Sequence, residues 1–75
     1  MADDDALTRI VWRTPTGEAV SCREKIKVLT ENLGELRQMA QDALEDAVLM
    51  GCDEAQFRDV VQRLLAGLVN PYKQG

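Results

Sequence analysis

Apolar or small side chains recur at Cys22, Ile26, Leu29, Leu33, Leu36, Ala40, Ala43, Ala47 and Met50, in steps that alternate between four and three. A heptad pattern held this long predicts one long helix packed along its length on another helix. Ser21-Cys22-Arg23-Glu24 has the form of a capping box, so the helix should open at about residue 21. Gly51 supplies a stop, which sets the far end near residue 50. Gly34 interrupts the run, at a cost of roughly 1 kcal/mol against alanine or as a mark of close packing. A second box, Asp53-Glu54-Ala55-Gln56, precedes an apolar stripe of Phe57, Val60, Val61, Leu64, Leu65 and Leu68, and Asn70-Pro71 closes it. The second helix is therefore expected over about 53–69, antiparallel to the first across a tight turn.

The chain ahead of residue 21 has a different pattern. Residues 7–14, Leu-Thr-Arg-Ile-Val-Trp-Arg-Thr, are rich in β-branched and aromatic types, and Pro15-Thr16-Gly17 has turn chemistry. A β-hairpin over 7–20 is expected, with Glu18, Ala19 and Val20 as the return strand and Trp12 facing Val20. The organisation reads as a disordered acidic N-terminus over 1–6, the hairpin, a helical hairpin over 21–70, and a tail over 71–75. The fold class is mainly α.

Helix lengths bear on assembly. At 1.5 Å per residue the first helix would run about 43 Å and the second about 24 Å. The second helix could then cover only the far part of the first, leaving the front of the seam to the β-hairpin or to another chain. A dimeric four-helix bundle satisfies this, with Ile26, Leu29, Leu33, Leu36 and Ala40 in the oligomer interface. Alanines at 40, 43 and 47 would let the second helix approach closely.

Charge sharpens the picture. The 75 residues carry a net charge of −4, which argues against a dedicated nucleic-acid binder, and 45% are hydrophobic, too many for a disordered chain. Residues 7–27 hold five bases against two acids, and residues 28–75 hold four bases against eight acids. On the long helix this opposes the macrodipole: Arg23, Lys25 and Lys27 stand at the positive end, and Asp42, Glu45 and Asp46 towards the negative end. An antiparallel partner helix centred near Leu36 would set one group beside the other.

Little catalytic inventory is present. The chain has no histidine, which removes the commonest general base and most zinc sites. Cys22 and Cys52 lie at opposite ends of a helix about 40 Å long, too far apart for a disulfide within one chain. Cys22, in the first helical turn beside Arg23 and Lys25, reads as a seam residue or as a reactive thiol. Asp42, Glu45 and Asp46 share a face, but dinuclear carboxylate sites of this type also use Glu-x-x-His. No catalytic, cofactor-binding or metal residue is expected, and no cofactor. There is no signal peptide and no apolar run near 18 residues, so the expected setting is a reducing cytoplasm with no membrane partner.

The order strand, helix, helix resembles that of ribbon-helix-helix DNA-binding proteins, with Arg9, Val11 and Arg13 on one strand face. The chain departs from it in its return strand and in a first helix about twice too long. The long helical hairpin resembles the small bacterial dimeric four-helix bundles of the Rop-like kind, by architecture and without a shared motif. The expected function is a small non-enzymatic interaction or adaptor module that self-associates through its long helix, with a further protein partner open. One alternative is a nucleic-acid-binding regulator using Arg9, Trp12, Arg13, Arg23, Lys25 and Lys27. Another is a thiol-based redox sensor acting through Cys22.

Overall fold

The computed structural model describes residues 6–72. Two long helices dominate: α1, Arg23–Leu49, and α2, Glu54–Ala66. A short helical stretch at 6–8 precedes them. The acidic Asp3, Asp4 and Asp5 and the last three residues of the tail lie outside the described residues.

The ends of the helices follow from named hydrogen bonds. α1 stops in a Schellman arrangement: Gly51 takes φ 88, its amide donates to the Val48 carbonyl at 3.0 Å, and the Cys52 amide donates to Ala47 at 2.9 Å. α2 opens on Asp53, whose carboxylate accepts from the Gln56 amide at 2.8 Å. It closes on Gly67, whose amide is shared by the carbonyls of Arg63 and Leu64. This places the end before the residue expected from Asn70-Pro71, because Gly67 leaves the helix first. Exposed i,i+4 pairs, Arg58 with Glu54 and Arg63 with Asp59, support α2.

The start of α1 corrects the expected cap. The first helical bond runs from the Ile26 amide to the Cys22 carbonyl at 3.1 Å. Cys22, not Ser21, thus takes the capping position.

The N-terminal β-hairpin is also corrected. Among the described residues there is no strand, only an isolated antiparallel bridge between Arg13 and Ala19. The turn is closed by Gly17, at φ 94, whose amide donates to Thr14, and by the Thr14 amide donating to Glu18. The Val20 amide donates to Trp12 at 2.8 Å, and the pairing goes no further. Two causes cut it short. The return segment has few residues before Cys22 is committed to α1, and residues 7 and 8 are helical. A two-stranded ribbon is marginal in water without a longer pairing.

The chain divides into two compact units, Met1–Ala40 and Gln41–Gly75. In the first, Leu7, Trp12 and Val20 are half-buried, as are Ile26, Leu29, Leu33 and Ala40 of α1. A Cβ built on Gly34 would meet Leu7 Cδ1 at 4.0 Å, so the N-terminal segment lies on α1 at the glycine. In the second unit Ala47 is buried at 8% exposed, with Leu44, Phe57 and Val61 half-buried.

Candidate interaction surface

The covered positions of α1 are Ile26, Leu29, Thr30, Leu33, Gly34, Arg37, Ala40, Leu44 and Ala47, one broad helical face. The heptad seam shares this face only in part. A strict seven-residue repeat drifts about 20° per heptad round a straight α-helix. One line of the seam, Ile26, Leu33, Ala40 and Ala47, stays covered. On the other line Leu36 and Ala43 are exposed. Leu29, on the same heptad line, is half-buried. Of the residues expected in the oligomer interface, Ile26, Leu29, Leu33 and Ala40 are half-buried within their own unit, and Leu36 is 45% exposed.

A second apolar stripe therefore faces outward on α1, beside the covered one. It comprises Val28, Leu36, Met39 and Ala43, with Met39 72% exposed. On α2, Val60, Leu64 and Leu65 are exposed, and Leu68 and Val69 follow them.

The basic residues do not make one patch. Arg23 and Lys27 are four apart and share a face of α1, whereas Lys25 lies about 160° round from Arg23. Arg9 is exposed just beyond the helical stretch at 6–8, and Arg13 is held at the bridge, donating from Nη1 to the Gly17 carbonyl at 3.0 Å. Trp12 is half-buried, and its Nε1 is enclosed with no acceptor, so the ring packs rather than presents itself for stacking. All six residues of the expected basic surface belong to the first unit.

Cys22 is exposed, and its thiol is held below its ordinary value by the Lys25 amide first, then by the Glu24 amide and the Lys25 charge, with desolvation opposing. Cys52 is exposed in the turn after Gly51. Among the described residues no group of three or more Cys, Asp or Glu is placed to hold a metal ion, the Asp42, Glu45, Asp46 cluster included. No helix among them is long and apolar enough to cross a membrane. The chain matches no family model, no curated protein and no solved structure.

Proposed function

We propose that this protein is a small non-enzymatic interaction module that self-associates through α1. The observation that carries the reading is the uncovered apolar stripe of α1, with Val28, Leu36 and Met39 each 45–72% exposed. A helix with one stripe under its own chain and a second facing water has surface in excess of what its own core uses. The occupant is taken to be a second copy because α1 carries both halves of a complementary charge pattern, with Arg23, Lys25 and Lys27 near its start and Asp42, Glu45 and Asp46 towards its end. Light scattering at tens of micromolar tests it. A mass of two or more chains supports the reading, and a single-chain mass at high concentration removes it.

The thiol reading draws on the exposure of Cys22 at the start of α1, where the Lys25 and Glu24 amides lower its thiol. Reversible oxidation of Cys22 by dilute peroxide, at a rate above that of the unfolded chain, would be needed to sustain it. The ribbon-helix-helix alternative rested on a strand, and no strand is present among the described residues.

A further inference from the structure

We propose that the second unit docks a basic amphipathic helix of another protein in the depression between the end of α1 and the start of α2. This stands apart from the self-association reading, which is carried by Val28, Leu36 and Met39 of the first unit. The depression measures about 360 Å³ and is lined by Leu44, Glu45, Val48, Leu49 and Glu54. All five belong to one compact unit. Three of them are apolar, two are carboxylates and none is a base. Leu49 is 84% exposed at its edge, so the apolar lining is open to a partner.

Helical spacing orders these groups. At about 100° per residue, Leu44 and Val48 stand 40° or so apart, and Glu45 and Leu49 follow on the side away from the buried Ala47. Asp42 and Asp46 continue the same side, within about 60° of Leu49. An apolar strip therefore gives way to an acidic margin across the width of one helix.

The charge of the unit says what fits there. Residues 41–72 hold six acids against two bases. Both bases are already held within α2, Arg58 by Glu54 and Arg63 by Asp59. Glu45 accepts from the Gln41 amide group at 2.8 Å, a neutral donor that leaves its charge in place. An excess of carboxylate repels nucleic acid and anionic lipid alike, and it favours a partner with lysine or arginine beside its apolar anchors. A helix laid in a groove presents both, with apolar residues three and four apart and charges along the flank.

Titration of the isotope-labelled full chain with a synthetic amphipathic helix of leucine and lysine tests this, beside its leucine–glutamate counterpart. The lysine peptide should bind with amide shifts centred on residues 44–54, and the glutamate peptide should not bind. Raising salt from about 0.05 to 0.5 M should weaken binding several-fold. Leu49→Ser, at an exposed position, should weaken it about tenfold with helicity unchanged. Glu45→Gln should weaken it about threefold. Equal binding of the two peptides would reduce the surface to unselective apolar contact and overturn the proposal. Shifts centred outside 44–54 would overturn it too, as would binding indifferent to Leu49→Ser, the mark of attraction by net charge alone. A dimer that the lysine peptide dissociates, seen by light scattering, would assign the groove to a second copy and overturn the proposal while leaving self-association standing. Binding that meets these expectations in a chain of single-chain mass would uphold the proposal and remove self-association.

Discussion

Gly34→Ala should stabilise the protein, although it fills a place where the N-terminal segment lies on α1. Glycine inside a helix costs about 0.8–1.0 kcal/mol against alanine, because the unfolded chain has more freedom to lose. The offsetting term is steric. The nearest atom beyond the helix is Leu7 Cδ1 at 4.0 Å, which is ordinary van der Waals contact, so the methyl group enters without displacing its neighbour. The net expectation is a gain of about 1 kcal/mol, or about 4–8 °C in Tm for a domain of this size. Gly51→Ala is the control. Its φ of 88 is one that a side chain disfavours, so the same substitution there should cost about 1–2 kcal/mol. Far-UV circular dichroism on heating, with Trp12 fluorescence reporting the first unit, reads both. A loss of more than about 0.5 kcal/mol in Gly34→Ala would refute the reasoning, since it would mean that Leu7 packs tighter than van der Waals contact and that the glycine is there for clearance.

Leu33→Ala should lower the stability of the single chain by about 1–3 kcal/mol, because Leu33 is half-buried, as read from urea midpoints at low concentration. Leu36→Ala should cost less there and should weaken association instead, as read by light scattering; equal losses from both would contradict the separation of the two stripes. Asp53→Ala should cost about 0.5–2 kcal/mol by freeing the Gln56 amide, and Asp53→Asn should recover most of it in the same urea titration. The pH midpoint for alkylation of Cys22 should lie below that of the urea-unfolded chain, since the Lys25 and Glu24 amides favour the thiolate. The sign carries to stability: the thiolate cap contributes above the ordinary thiol value and its contribution is lost as pH falls through the depressed one. A midpoint at or above the unfolded one would show that the sulfur does not cap α1.

Some of this structure is written in short local signals. Gly51 and Asp53 act through one or two hydrogen bonds each, so residue type and position are enough to place the break between the helices. Pro15 and Gly17 likewise place their turn. Other features depend on competition between neighbours. Ser21 and Cys22 can each offer an acceptor to the first amides, and only the helical bond from Ile26 to Cys22 decides between them. Thr8 has a strand-forming type yet is helical beside Leu7, because no paired strand is long enough to hold it and Leu7 gains contact at Gly34. The seam shows a subtler limit. Its sevenfold spacing is compatible both with a straight helix and with a supercoiled one, and sequence does not say which stripe the chain covers by itself. The structure separates Ile26, Leu29 and Leu33 from Leu36, Met39 and Ala43, and that separation is what gives α1 two faces.

The central claim is that α1 is shared between copies, and sedimentation equilibrium on the wild-type chain beside Met39→Lys tests it most directly. Met39 is 72% exposed, so a lysine there leaves the fold of the single chain intact but sets a charge in the middle of the outward stripe. The wild-type chain should sediment as a dimer at tens of micromolar and Met39→Lys as a monomer of unchanged helicity. A wild-type chain that stays monomeric over the same range, or a Met39→Lys chain that dimerises as well as the wild type, would contradict the claim.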